Sequence, residues 1–151
     1  MTARLTMAIG VHLILRRGTQ VLLARRYNTG WGDGLYNLPC GHLDAGEEAA
    51  KGMVREAREE IGVAIRPRDL AFAGATHWLS SKQSVNLFFE CRKWTGSPEN
   101  REPEKCDDLR WFPLSKLPRN LVPQCKAVLA CYRNKKRPFF LENLGRRDAV
   151  Y

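Results

Sequence analysis

The chain has 151 residues, of which 44% are hydrophobic and 27% charged, and its formal net charge is +9. This length predicts one compact domain over residues 1–151, with the composition of a soluble globular protein. No apolar run approaches the roughly 18 residues that a membrane-spanning helix needs, and a signal peptide is not indicated, so we expect no membrane partner and a cytoplasmic location.

The excess of 25 basic over 16 acidic residues is expected to attract phosphorylated substrates. Nucleic acid is the rival partner, but the basic residues cluster clearly only near the C-terminal end, so we consider it the less favoured one. The odd number of five cysteines, with no C-x-x-C pair, predicts reduced thiols and neither a disulfide framework nor a zinc site.

Two apolar segments near the N-terminus, residues 5–15 and 20–25, are separated by a short polar stretch and predict a β-hairpin. A loop rich in Gly, Asn and Asp follows and ends at Pro39. Its large side chains Trp31 and Tyr36 favour a role in lining a substrate pocket, and an ordinary surface loop is the alternative.

Residues 41–63, GHLDAGEEAAKGMVREAREEIGV, combine a glycine-rich turn with a predicted helix over residues 47–61. The apolar residues of this segment recur at spacings of three and four and should face a sheet. Glu56, Glu59 and Glu60 stand at i, i+3 and i+4, so their side chains project from neighbouring positions beside the apolar stripe. Oxygen ligands at this spacing predict a site for a hard divalent cation such as Mg2+, with Mn2+ as an alternative.

The same stretch resembles the signature of the Nudix hydrolase family, G-x5-E-x7-R-E-U-x-E-E-x-G-U, in which U is aliphatic. Every fixed position is filled, by Gly41, Glu47, Arg55, Glu56, Ala57, Glu59, Glu60, Gly62 and Val63. The flanking segments are similar to those of MutT-like members. The resemblance implies an α/β fold, an α/β/α sandwich with a mixed sheet, and hydrolysis of a nucleoside diphosphate linked to a further moiety.

The resemblance also implies roles for individual residues. Glu56, Glu59 and Glu60 would bind the metal, with the backbone carbonyl of Cys40 a further ligand and Glu56 the candidate general base. Arg55 would orient Glu47 or a motif carboxylate. Among the acids of residues 102–107, Glu104 is the first candidate to complete the metal site, ahead of Glu102 and Asp107.

Substrate contacts are expected from Arg25 or Arg26 on phosphate and from Asn120 on the base, with Tyr36 in the pocket wall. A helix N-cap or turn role is the alternative for Asn120. Cys40 stands where relatives commonly carry a smaller residue, which predicts sensitivity to oxidation. Gly52 lies near the carboxylates on a helical wheel, and it either leaves room for metal-bound water or phosphate or is a tolerated weak helix position.

Downstream, residues 70–79 and 84–94 predict two strands joined by a hairpin over 80–83, and residues 122–133 predict a closing helix. The basic segment 133–151 could pack on the core, pair with another subunit in a homodimer or touch nucleic acid.

The leading functional prediction is a (d)NTP pyrophosphohydrolase that releases a nucleoside monophosphate and pyrophosphate. Hydrolysis of nucleotide sugars, dinucleoside polyphosphates or capped RNA is the first alternative. The SQPWPFPxS array typical of NADH hydrolases is absent from the sequence. A nucleotide-sensing or nucleic-acid-binding module without catalysis is the second alternative, although such a module would usually have lost a motif carboxylate.

Overall fold

A mixed β-sheet forms the centre of the computed structural model, which describes residues 3–79 and 83–143. Its strands in these ranges are β1 (Ala8–Arg17), β2 (Gln20–Arg26), β3 (Tyr36–Asn37), β4 (Cys40–His42), β5 (Leu70–Trp78), β6 (Ser84–Cys91), β7 (Cys106–Pro113) and β8 (Phe139–Asn143). The strand order is β3-β2-β1-β6-β5-β8, with β4 beside β1 and β7 beside β2. β1 runs parallel to β6 and antiparallel to β2 and β4, which makes the sheet mixed.

One helix packs on each face of this sheet, α1 (Ala49–Ile61) and α2 (Pro123–Arg133). β1 shows the alternation that makes this possible, because Val11 and Leu13 pack in the cluster beneath α1 whereas Ile14 packs in the cluster beneath α2. Both clusters are formed by fully buried apolar side chains. The structure therefore confirms the α/β/α sandwich with a mixed sheet.

Helix α1 begins at Ala49, two residues later than predicted. The side chain of Glu47 accepts hydrogen bonds from the backbone of Asp44 and from Arg55, which holds it in the turn before the helix. The helix ends at Gly62, which has φ of 70° and donates its N–H to the carbonyl of Arg58. The predicted left-handed cap at Gly62 is confirmed, since this backbone region costs glycine little.

The two predicted hairpins are observed as antiparallel pairs, with Arg17 opposite Gln20 and Trp78 opposite Ser84. The predicted turn over 80–83 lies mostly outside the described residues. β6 ends at Cys91 instead of Trp94, because the chain turns away there and Trp94 stacks on Trp111 with ring centroids 5.9 Å apart.

The C-terminal part of the described chain packs back on the core. α2 begins at Pro123, with Val122 as its N-cap, so the N-cap role considered for Asn120 is wrong. β8 then pairs in parallel with β5 at the edge of the sheet and buries Phe139. Residues 144–151 lie outside the described residues. In the ranges that are described, no helix is long and apolar enough to cross a bilayer.

Candidate metal and nucleotide site

The motif helix and strand β4 border a cavity of about 890 Å3. Residues of β1, β2, β4, β5, β6, α1, the loop before β3, the segment before β7 and the start of α2 line it. The apolar side of α1 buries Met53, Ala57 and Ile61 against the sheet, which turns Glu56 and Glu60 toward the cavity. The helical periodicity read from the sequence thus positions two of the three predicted carboxylates.

Glu60 is a buried carboxylate at the inner end of this group. Its Oε2 accepts a hydrogen bond from the backbone N–H of Cys40 at 2.8 Å. Burial raises the pKa of Glu60 to about 8; the hydrogen bond from the Cys40 N–H opposes this shift, and the negative charges of Glu102 and Glu56 add to it. A bound cation would relieve this burial cost and the repulsion between the carboxylates.

Arg55 connects the turn before α1 to the carboxylates of the helix. Its Nε and Nη2 donate to the two oxygens of Glu47 at 2.8 and 2.9 Å. Its Nη1 donates to Glu56 at 2.8 Å and to Glu59 at 3.1 Å. The side-chain hydrogen bonds from Arg55 hold the pKa of Glu47 at about 2. Arg55 therefore makes the contacts expected of a residue that orients the motif carboxylates.

Gly41 allows the glycine-rich turn to approach the helix. A Cβ on Gly41 would lie 1.9 Å from the carboxyl carbon of Glu56, and both carboxylate oxygens would be within 2.2 Å. This explains why the first motif position is glycine, since any larger residue would displace Glu56.

Gly52 has a different role from either one proposed for it. A Cβ there would lie 2.2 Å from a methyl group of Leu43 and 2.9 Å from an oxygen of Glu47. Gly52 is buried and does not line the cavity. The hypothesis that it leaves room for metal-bound water or phosphate is wrong, because Leu43 and Glu47 fill that space.

The oxygen-bearing side chains of the cavity are of the type that binds a hard divalent cation, although they do not surround a single point. Glu56, Glu60 and Glu102 supply carboxylate oxygens to one cavity, which is the ligand type that Mg2+ prefers. Within residues 3–79 and 83–143 no three histidine, cysteine or carboxylate side chains converge closely enough to hold a metal ion. Two of the motif carboxylates, Glu56 and Glu59, are paired with Arg55.

Two predicted metal ligands lie away from the cavity. Glu59 has a side chain that is 54% exposed, and Glu104 is exposed in the segment before β7. Neither lines the cavity, whereas Glu102 does. The backbone amides of Lys105 and Cys106 both donate to the carbonyl of Glu102, and in this turn Glu102, Lys105 and Cys106 line the cavity whereas Glu104 does not.

Of the predicted substrate-binding residues, two line the cavity and two do not. Arg25 and Arg26 line the cavity, where Arg25 pairs with Asp107 at 2.7 Å. Tyr36 is buried and donates its hydroxyl proton to Asp108. Asn120 donates to the carbonyl of Gly34 at 2.8 Å. Tyr36 and Asn120 do not line the cavity, so the contacts observed for them brace the loop before β3.

The loop between β2 and β3 takes part in the cavity through Thr29 and Trp31. Arg26 holds this loop, donating from Nε to the carbonyl of Trp31 at 2.7 Å and from Nη2 to Thr29 at 2.9 Å. Cys40 also lines the cavity, but burial raises the pKa of its thiol above the ordinary value. Because the thiolate is the reactive form, this burial argues against the predicted sensitivity of Cys40 to oxidation.

Sequence reasoning missed a hydrogen-bonded polar group beside the cavity, formed by His12, Thr76, Asn86 and Gln124. The signal that could have found it is a polar residue inside an apolar strand segment, as in VHLIL around His12 and VNLFF around Asn86. Such residues interrupt the apolar side of a strand and require a hydrogen-bonding partner when buried.

Comparison with known families decides the identity of the fold. The family model described as NUDIX domain matches residues 4–131 of the sequence. The chain belongs to the Nudix family. This assignment confirms the resemblance carried by residues 41–63 and extends it over most of the chain.

Curated Nudix relatives include proteins named NAD-capped RNA hydrolase NudC. The protein from Pseudomonas entomophila is 34% identical over 108 residues, which are 70% of this chain and 36% of the relative. The protein from Stutzerimonas stutzeri is 31% identical over 106 residues, with the same coverage. The match thus spans little more than a third of the length of these relatives.

Solved structures support the same fold. A MutT Nudix hydrolase from Burkholderia pseudomallei superposes with a TM-score of 0.77 at 23% identity, covering 83% of this chain and 97% of the other. A MutT protein from Methanosarcina mazei gives a TM-score of 0.76 at 18% identity, with coverage of 90% and 99%. At these identities the likeness extends to the fold alone.

Proposed function

We propose that this Nudix protein is a divalent-metal-dependent pyrophosphohydrolase that converts a nucleoside triphosphate, ribo or deoxy, to the monophosphate and pyrophosphate. The observation that carries the proposal is one cavity lined both by the buried carboxylate of Glu60 and by the basic side chains of Arg25 and Arg26. Carboxylate side chains attract a cation and arginine side chains attract phosphate, so the cavity suits a polyphosphate with a bound metal ion.

Mg2+ is the proposed cofactor, with Mn2+ able to replace it. Glu56 and Glu60, which line the cavity, are the proposed ligands, with the carbonyl of Cys40 a further one; Glu59, the third predicted carboxylate, does not line the cavity and would have to leave Arg55 to join them. Glu102 takes the place predicted for Glu104, because Glu102 lines the cavity. When bound, the cation supplies neutralising charge for the phosphate oxygens and lowers the pKa of the attacking water.

The residues of the chain have separate tasks in this reaction. Glu56 is proposed to accept the proton of the attacking water, since its Oε1 is fixed by Arg55 and its carboxylate is held against Gly41. Arg55 is a positioning residue. Arg25 and Arg26 are proposed to bind phosphate oxygens and to orient the chain of phosphates across the cavity.

Hydrolysis of NAD-capped RNA is the second candidate. It is favoured by the relatives that bear this name and share up to 34% identity with the chain. The absence of the SQPWPFPxS array argues against a substrate that contains NADH. Nucleotide sugars and dinucleoside polyphosphates remain further alternatives, and retention of every motif carboxylate argues against a module without catalysis.

A substrate panel tests the proposal. The purified protein is incubated with ribo- and deoxynucleoside triphosphates, a nucleotide sugar, a dinucleoside polyphosphate and an NAD-capped RNA oligonucleotide, and pyrophosphate and phosphate are measured separately. We expect pyrophosphate and monophosphate from a triphosphate, loss of activity with EDTA and recovery with Mg2+ or Mn2+. Turnover of NAD-capped RNA alone would favour the second candidate, and no turnover of any compound would overturn both.

A further inference from the structure

A chain of four polar side chains, His12, Asn86, Thr76 and Gln124, crosses the sheet beside the cavity. His12 Nε2 lies 3.2 Å from Asn86 Oδ1, and Asn86 Nδ2 donates to Thr76 Oγ1 at 3.4 Å. Gln124 also donates to Thr76 Oγ1. The four residues belong to β1, β6, β5 and α2, so their hydrogen bonds connect four elements. This polar chain has no part in the proposed metal chemistry.

The burial of this polar chain calls for an explanation. His12 and Asn86 are each 7% exposed and Thr76 is 2% exposed, and His12 stacks on Phe88 with ring centroids 4.6 Å apart. Apolar residues at these positions would pack without the cost of removing polar groups from water. Desolvation lowers the pKa of His12 to about 4, so the imidazole is neutral near pH 7. The four polar side chains therefore offer neutral hydrogen-bond donors and acceptors, which suit an uncharged ligand better than phosphate.

The sheet register connects this polar chain to the carboxylates. Asn86 lies opposite Gly10 of β1, and Gly10 lies opposite His42 of β4, the strand that leads into the motif turn. Two strand spacings separate β6 from β4, a distance of about 10 Å. A Cβ on Gly10 would lie 2.3 Å from Asn86 Oδ1, so the missing side chain is what lets the Asn86 carboxamide lean toward β4.

The surroundings of the polar chain combine flat apolar surface with carboxamide groups. Trp78 and Pro123 line the cavity here, together with Asn86 and Gln124. Asn86 Nδ2 is shared between Thr76 and Ser84, the latter at 3.2 Å. Gln124 Oε1 accepts no hydrogen bond from any residue in the described part of the chain and is available to a ligand. Carboxamides at the edge of an aromatic-walled slot are the groups by which proteins bind base edges.

We infer that Gln124 hydrogen-bonds the nucleobase of the substrate, which packs against Trp78, while Thr76 holds the carboxamide of Gln124 and is itself held through Asn86 and His12. This inference rests on the proposed function, because it takes the substrate to be a nucleotide whose phosphates lie at the carboxylates. The ligand class is a base with a donor and an acceptor side by side on one edge. A phosphate compound without a base would gain nothing from this end of the cavity.

The test compares Gln124→Met, which keeps the side-chain length but removes both polar groups, with Gln20→Met at the start of β2, away from the cavity. Calorimetry measures binding of the four common nucleoside monophosphates and of base-free ribose 5-phosphate, all without metal. We expect Gln124→Met to weaken the affinity for the best-bound nucleotide by roughly 10- to 100-fold. The differences in affinity among the four nucleotides should become smaller, and the affinity for ribose 5-phosphate should not change. Gln20→Met should bind all five compounds like the wild type.

A second pair of variants tests the supporting role of Thr76. Thr76→Val removes the hydroxyl at nearly constant volume and should reduce the preference among bases, and Thr76→Ser should restore it. The inference is overturned if Gln124→Met binds every nucleotide like the wild type, or if it weakens ribose 5-phosphate as much as the nucleotides. The protein could bind bases selectively through Gln124 and yet hydrolyse no nucleotide. That pair of results would refute the proposed function and leave the inference standing.

Discussion

Glu60 and Arg55 show how two neighbouring environments prepare the motif for a cation. Glu60 is buried beside other carboxylates, which raises its pKa to about 8. Arg55 instead satisfies Glu47 through both of its oxygens and reaches two further glutamates. The site thus holds one carboxylate that gains from a metal ion and one arginine that keeps its neighbours in place.

Glu60→Gln is expected to lower kcat/KM for the best substrate at least about 100-fold, because metal ions contribute several kcal/mol of charge stabilisation. The metal-free Tm should not fall, since glutamine can still accept from the Cys40 N–H and is neutral, like the protonated carboxyl that the raised pKa of Glu60 favours near pH 7. Pyrophosphate release and calorimetric melting measure the two effects. Glu99→Gln, at an exposed site beside Arg101, is the control and should behave like the wild type. Unchanged turnover in Glu60→Gln would refute the assigned role.

Arg55→Gln should lower kcat/KM by about 10- to 100-fold, the range typical of residues that orient metal ligands. Titration of activity with Mg2+ should show a higher metal requirement as well. Arg55→Lys is expected to recover little, because an ammonium group cannot reproduce the two parallel hydrogen bonds to Glu47. Arg58→Gln, on the same helix, is the matched control. Full activity in Arg55→Lys would contradict this role.

At the level of single residues, the sequence predicted the direction of Glu56 and Glu60 well, but not the direction of Glu59 or of the loop side chains. Glu56 and Glu60 project from a helix whose buried side is fixed by its apolar stripe, so their direction follows from periodicity. Tyr36 and Glu104 belong to irregular segments, where no periodicity defines the direction of a side chain. Their placement depends on backbone hydrogen bonds made elsewhere, such as those received by Glu102.

Helix α1 is the element on which the site depends, and its two ends are fixed differently. At its N-terminal end Glu47 bridges Asp44 and Arg55. At its C-terminal end Gly62 adopts a left-handed conformation that stops the helix one residue before Val63 enters the core. Glu60 lies in this last turn, so the cap also sets where the buried carboxylate points.

Gly62→Ala should lower the free energy of unfolding by about 1 to 2 kcal/mol, since a Cβ disfavours the left-handed region. The added Cβ would also lie 2.4 Å from Nε of Arg101, which must move. Gly62→Asn is the matched variant and should lose less, because asparagine tolerates this conformation. Urea unfolding followed by circular dichroism measures both. Equal losses in the two variants would show that backbone conformation is not the cause.

For the whole molecule, the buried polar chain through His12 links pH to stability. Desolvation lowers the pKa of His12 in the folded protein to about 4, against 6.5 in an exposed histidine. Between these values the unfolded chain binds a proton that the folded protein does not bind. The stability present above pH 6.5 is therefore lost as the pH falls toward 4.

The wild type is accordingly expected to lose about 2 kcal/mol of unfolding free energy at His12 between pH 7 and pH 5. His12→Gln lacks the titrating group and should lose correspondingly less over the same interval, whatever its stability at pH 7. Urea unfolding at pH 5, 6 and 7 measures the difference. His42→Gln, at an exposed site, should retain most of the wild-type dependence, because the charge of His42 is the smallest of the causes that act on the pKa of His12. Parallel curves for the wild type and His12→Gln would contradict the prediction.

The sequence by itself determined the family motif, the class of the fold and the sidedness of α1, because these depend on spacing within a continuous segment. Periods of two and of 3.6 residues tell which side chains share a face, and Gly62 marks where the helix stops. These properties are local, so no knowledge of distant contacts is needed to read them.

The tertiary structure decided which distant residues meet. Glu102 reaches the carboxylates and Glu104 does not, Leu43 fills the space beside Gly52, and Asn86 leans over Gly10 toward the motif strand. Each outcome depends on the register between strands or on a turn far along the chain. Side-chain chemistry can be read from a sequence, but the distance between two segments is fixed by the packing of the whole sheet.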